Sequence, residues 1–194
     1  MSDLDAKAPL VAVLYETGGD PSPFVRRVLA MLVARKVRCA GFIQHDVVRP
    51  GRSRCDMVLR DIASGLEMPI SLDRGPGARG CRLDEAELVR AAMVAIDGLG
   101  SRPDVLLLNK FGKSEVEGRG FRPLIASAVE AGIPVIVPVA WRNIESWRQF
   151  AGDLAVERKL EALADRADID LLRAFGFAIT PFAAAGAGDA HREA

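Results

Sequence analysis

The stretch Asp104–Leu108, DVLLL, runs directly into Asn109-Lys110-Phe111-Gly112-Lys113. A short unbroken aliphatic run bounded by turn-forming residues is the pattern of a strand buried on both faces. Such strands occur where helices cover both sides of a mainly parallel sheet. The residues that follow are polar and cationic, so the strand delivers a charged loop to one edge of that sheet.

Working outward, the same alternation recurs. Upstream, Leu83-Asp84 opens a helix to about Leu99, with Glu85 and Glu87 in its first turn as the helix dipole prefers. Downstream, a helix is expected from about Phe121 to Ala131, stopped by Gly132. Ile133–Val139 (IPVIVPV) is a further buried strand, and Ile144–Ala151 a short helix. Nearer the N-terminus, Leu10–Tyr15 (LVAVLY) reads as the first strand and Phe24–Lys36 as an amphipathic helix. Ser22 is its expected cap, with Pro23 suited to the first helical position. Val37–Ile43 reads as the second strand. Cys55–Ile62 and Leu66–Leu72 form an antiparallel hairpin around Ser64-Gly65. These elements predict an α/β fold with a mainly parallel sheet, helices on both faces and an inserted β-hairpin.

The expected organisation is a flexible N-terminus over residues 1–9 and an anion- or nucleotide-binding α/β domain over 10–152. A charged helical extension over 153–180 and a disordered Ala/Gly-rich tail over 181–194 follow. Hydrophobic residues make up 49% and charged residues 27% of 194, and the formal net charge is zero. No long-range field therefore draws the molecule to nucleic acid, and no run approaches the ~18 apolar residues of a membrane span. The three cysteines (Cys39, Cys55, Cys81) include no CxxC pair, which points to a reducing compartment and so to the cytoplasm. His45 and His191 are far apart, so no histidine metal site is expected.

In parallel sheets, ligands sit at the carboxyl ends of the strands, which selects three loops. The first, Glu16–Ser22, holds Gly18 and Gly19, whose backbone N–H groups can face an anion beside a helix N-terminus. It carries no lysine of the GxxxxGK[ST] kind. The second, Asp73–Arg82, holds Arg74, Arg79 and Arg82 among glycines, and arginine suits bidentate contact with oxyanions. The third, Asn109–Arg122, holds Asn109, Lys110, Lys113, Arg119 and Arg122, opposed by Glu115 and Glu117. Together these cations make a local positive patch on the ligand side of a neutral protein. Bland readings stand beside each loop: a tight turn, a solvated arginine loop, and a surface ion-pair cluster of Lys113, Glu115 and Glu117.

The segments CRLDEAELV, LLLNKFGKSEVEGRGFRPLIASAVEAGIPVIVPV and WRQFAG together resemble an uncharacterised bacterial domain family. Some of its members carry the label of molybdenum ABC transporter ATP-binding proteins, and the resemblance spans roughly residues 11–152. More distantly, the order of elements is similar to the small P-loop nucleoside-triphosphatases, with Gly41-Phe42 and the hairpin in matching places. That resemblance implies a P-loop-NTPase-like three-layer fold. Asn109-Lys110-Phe111-Gly112 stands where those enzymes carry acidic residues, and the phosphate-loop lysine is missing.

The function this predicts is binding of a small anionic ligand, a nucleotide or an oxyanion such as molybdate, in molybdenum handling or its regulation. One alternative is a divergent nucleotide hydrolase or transferase using Glu115 or Glu117 as base or metal ligand. Another is an interaction module in which Trp141, Trp147 and the helix after Asp153 form a homo-oligomer contact.

Overall fold

The structure, a computed structural model, describes residues 9–48, 55–72 and 83–177. Leu10–Tyr15 (β1) is buried at every position and leads into Ser22–Ala34 (α1). Cys39–Val47 (β2), Asp56–Asp61 (β3) and Glu67–Pro69 (β4) follow, then the helix Glu85–Gly98 (α2). Val105–Leu107 (β5) precedes a single turn, Lys113–Val116 (α3), and Arg122–Glu130 (α4). Val135–Ala140 (β6), Ile144–Ala151 (α5), Ala155–Lys159 (β7), Leu160–Ala164 (α6) and Asp168–Ala174 (α7) complete the order.

The strands form one sheet in the order β4-β3-β2-β5-β6-β1-β7. Pairings β2–β5, β5–β6, β6–β1 and β1–β7 are parallel, whereas β2–β3 and β3–β4 are antiparallel. The expected hairpin is therefore present, extending one edge of a parallel sheet. Strand β1 shows why both faces are covered. Leu10, Ala12 and Leu14 pack with α2, α4 and α5, while Val11 and Val13 pack with α1, α6 and α7.

Three local expectations need correction. Residues after Asp153 do not begin with a helix: Ala155–Lys159 pairs with β1 from Leu10↔Ala155 to Leu14↔Lys159. AVERK hides its strand character because it lies at a sheet edge, where charged side chains are accommodated and even favoured. Glu157, for example, pairs with Arg148 at 2.9 Å. The segment beyond 152 is also no appendage, because Leu163, Leu171, Leu172 and Phe175 are buried in the layer against α1. Finally, Ser22 lies inside α1 rather than capping it, and Asp20 Oδ1 accepts its backbone N–H at 3.0 Å. The expected flexible N-terminus (residues 1–9, Pro9 apart) and disordered tail lie outside the described residues.

Candidate functional site

After β1 the chain passes to α1 on one face of the sheet, and after the adjacent β6 it passes to α5 on the other. Adjacent strands whose connections leave in opposite directions open a crevice at their carboxyl ends. A cleft of about 380 Å³ lies there. Tyr15, Gly18 and Gly19 come to it from the end of β1, Asn109–Glu115 from the end of β5, and Ala140, Arg142 and Asn143 from the end of β6. The remaining wall is largely apolar, with Met57, Leu59 and Ile70 from the hairpin side and Leu83, Leu88 and Phe121 beside it. One side of the cleft is thus cationic and the other greasy.

The loop after β5 owes its shape to Glu115. This side chain is only 4% exposed, yet both oxygens are satisfied by main-chain donors. Oε2 accepts Gly112 N–H at 2.8 Å and Oε1 accepts Phe121 N–H at 2.8 Å. Burial pushes its carboxyl above the ordinary value of 4.5, while those amides and nearby Lys110 pull the other way. The glycine at 120 is required: its φ is +61°, and a Cβ there would lie 2.1 Å from Glu115 Oε1. Beneath the loop, Phe111 is fully buried against Trp147 (5.3 Å between centroids) and Phe150 (5.9 Å). Arg122 covers the rings, 4.8 Å from Phe150, and donates to the Glu115 carbonyl. Asn143 Nδ2 donates to Phe111 O at 3.1 Å, locking the β5 loop to the β6 end.

The sequence-derived candidates divide on this geometry. Gly18, Gly19, Asn109, Lys110 and Lys113 all line the cleft. Gly19 donates its N–H to Glu16 O at 2.9 Å, so that amide is engaged in its own turn. Arg119 instead pairs with Glu85 at 2.9 Å and with Glu117, outside the cleft lining. Lys113 reaches Glu117 at 3.6 Å, so the surface ion-pair cluster exists, but without Glu115. Arg74, Arg79 and Arg82 lie outside the described residues. Trp147 is fully buried and unavailable to a second copy, whereas Trp141 is half-buried.

Two features of the cleft escaped the sequence. Arg142 is an exposed cation at the end of β6 whose backbone N–H donates to Thr17 Oγ1 at 3.2 Å, joining it to the first loop. A single arginine after a strand carries no motif, though its place at a strand end was a signal. Tyr15 closes β1, and its burial raises the phenol above its ordinary value, opposed by the charge of Arg142. Asn109, 6% exposed, has an Oδ1 with no hydrogen-bond partner among the described residues. Neither Lys110 nor Arg142 forms an ion pair among the described residues, although each lines the cleft. Those residues also contain no cluster of acidic, histidine and cysteine side chains fit to hold a metal, and no helix long and apolar enough to cross a membrane.

Comparison with known proteins agrees with this architecture. Over 145 residues the chain is 31% identical to the molybdenum import ATP-binding protein ModC 2 of Bradyrhizobium diazoefficiens, covering 75% of this chain. It spans only 16% of the length of that relative. It is 25% identical over 150 residues to the nucleoside-triphosphatase THEP1 of Thermofilum pendens, covering 76% of each. No solved structure matches the chain. The sheet, its layers and these similarities define an α/β P-loop-NTPase-like fold. The chain belongs to the family described as Protein of unknown function (DUF2478), which matches residues 10–167.

Proposed function

We propose that this protein binds a small anionic ligand, a nucleotide or an oxyanion such as molybdate, in the cleft at the carboxyl ends of β1, β5 and β6. The observation that carries this reading is the pair of cations Lys110 and Arg142, which line an open cleft and form no ion pair among the described residues. Lys113 adds a third positive charge at the same wall. Fixed cations beside a partly apolar, low-dielectric surface attract anions more strongly than they would in open water. The apolar wall formed by Met57, Leu59, Ile70 and Leu88 favours a ligand with an organic body, as a nucleotide has. The likeness to a molybdenum import ATP-binding protein makes molybdate the first inorganic anion to test, and molybdenum handling is the role in which such binding would serve.

In this reading the ordinary phosphate-loop chemistry is degenerate. The loop after β1 has no lysine, and Asn109 occupies the end of β5, where an acid would bind magnesium. The hydrolase alternative requires a working base. Glu115 is committed to two main-chain amides, and Glu117 to Arg119 and Lys113, so neither is free to act on a ligand as it stands.

The test is a thermal-shift panel of wild-type protein with ATP, GTP, ADP, phosphate, molybdate, tungstate and sulfate, with and without magnesium. A ligand held only by the native state stabilises it by ~2.7 kcal/mol at a hundredfold excess over Kd. The reading predicts a shift with at least one anion that is lost in Lys110→Ala and Arg142→Ala. Phosphate release from a nucleotide would favour the enzyme instead, and no shift with any anion would leave an interaction module as the better account.

A further inference from the structure

Helix α2 has two apolar faces, and the fold uses one. Leu88, Ala91, Ala92 and Ala95 are buried in the layer that covers the sheet. On the other side Val89, Met93 and Val94 stand 46%, 61% and 51% exposed, and no other helix among the described residues exposes as many large apolar side chains. At helical spacing, Ala86, Arg90, Met93 and Asp97 run along the outermost ridge of this face, all exposed. Arg90 reaches Glu87 on its own helix, and Asp97 forms no ion pair among the described residues. Gly98 and Gly100 follow. Gly98 has ordinary helical angles, φ −65° and ψ −22°, and a Cβ at either glycine would meet nothing within 4 Å. Glycine weakens a helix relative to alanine, and neither the backbone nor the packing of the described residues calls for it at Gly98.

We propose that this face of α2 is the contact between two copies of the chain, packed antiparallel about a two-fold axis that passes between Met93 and Val94. In such a contact residue i of one copy meets residue j of the other, and j meets i. Arg90 lies as far before the axis as Asp97 lies beyond it. Each Arg90 therefore meets the Asp97 of the second copy, and the opposite charges pair at both ends of the contact. Met93 and Val94 of both copies fill the centre. Val89 passes over the stretch with Gly98 and Gly100, where the missing side chains let the two helices approach. Beside Val94 the surface continues into a groove of about 560 Å³ that Val94 and Gly98 share with Val33 and Ile62, which widens the apolar area a second copy covers. The placement selects a second copy over an unlike partner. One face carries both charges, symmetrically about an apolar centre, and so is complementary to itself. An unlike partner gives no reason for that symmetry. The inference does not depend on the anion reading of the cleft.

The test is sedimentation velocity of the full chain over a concentration series. It takes wild type, Arg90→Asp, Asp97→Arg, the double variant carrying both changes, and an equimolar mixture of the two single variants. Wild type should pass from monomer to dimer as concentration rises. Each single variant sets like charges against each other at both ends of the contact, and should weaken dimerisation by about tenfold or more. In the double variant and in the mixture every pair is opposite in sign again. Dimerisation should then return to within about threefold of wild type. Two misfolded single variants would not recover on mixing. A wild type that stays monomeric throughout, as it would if another segment of this chain covered the face, would overturn the proposal. So would a dimer indifferent to both single substitutions, because its contact would lie elsewhere.

Discussion

The loops after β1 and after β5 reach the same cleft from neighbouring parts of one sheet edge, yet they use their carboxylates in opposite ways. In the first loop Asp20 is exposed and accepts the backbone N–H of Ser22, the first residue of the helix that follows. In the second, Glu115 is buried and ties the main chain at Gly112 and Phe121, so that Lys110 and Lys113 are held out on a fixed scaffold. One acid engages the first amide of a helix and the other builds a platform for cations. The side chain that touches a ligand and the side chain that shapes the ligand's surroundings are therefore different residues, and composition alone cannot distinguish them.

The contrast is broken most severely at the glycines. Gly120→Ala forces a Cβ to within 2.1 Å of Glu115 Oε1 in a left-handed backbone at φ +61°, so the platform must distort. A loss of about 4 kcal/mol in urea unfolding is expected, of the size seen for a steric clash in a packed interior. Gly18→Ala also places a side chain at positive φ, +91°, but no atom lies within 4 Å of its Cβ. Only backbone strain remains there, about 1 kcal/mol. Equal losses at the two glycines would mean that the second loop is no more rigid than the first.

A smaller effect separates the two carboxylates by pH. The folded-state carboxyl of Glu115 is raised above its ordinary 4.5 by burial, so folded protein holds its proton longer than unfolded chain does. Its contribution is fully present below about pH 4.5 and declines as pH rises through the raised folded value. Asp20 behaves in the reverse sense. Its folded carboxyl is lowered below 3.8, chiefly by the Ser22 hydrogen bonds, so its contribution is present above that value and is lost as pH falls through the depressed one. Denaturant unfolding at a series of pH values should therefore show Glu115→Gln flattening the decline on the neutral side and Asp20→Asn flattening the loss on the acid side. The same slope change from both variants would contradict the assigned environments.

Much of the fold was legible because its central strands are buried on both faces. LVAVLY, VLLL and VIVPV are continuous aliphatic runs, and each lies in or overlaps a strand of the parallel sheet. Edge strand β7 was not legible, because AVERK satisfies its exposed side with charge and carries no run. The lysines, Asn109 and the glycine pair were legible through their position at strand ends. Glu115 was not, because glutamate is ordinarily solvent-exposed, and only the fold of residues 109–121 around its carboxylate buries it. Arg142 was missed because its role depends on β6 lying next to β1, a fact of tertiary pairing.

The central claim is that Lys110 and Arg142 make the cleft an anion site. Titration calorimetry of wild type and the Lys110→Ala/Arg142→Ala double variant against whichever anion gives the largest thermal shift tests it most directly. The account predicts measurable binding to wild type and at least about a hundredfold loss in the double variant, two charge contacts of ~1.4 kcal/mol or more each. Undiminished binding by the double variant, with its folding intact, would contradict it.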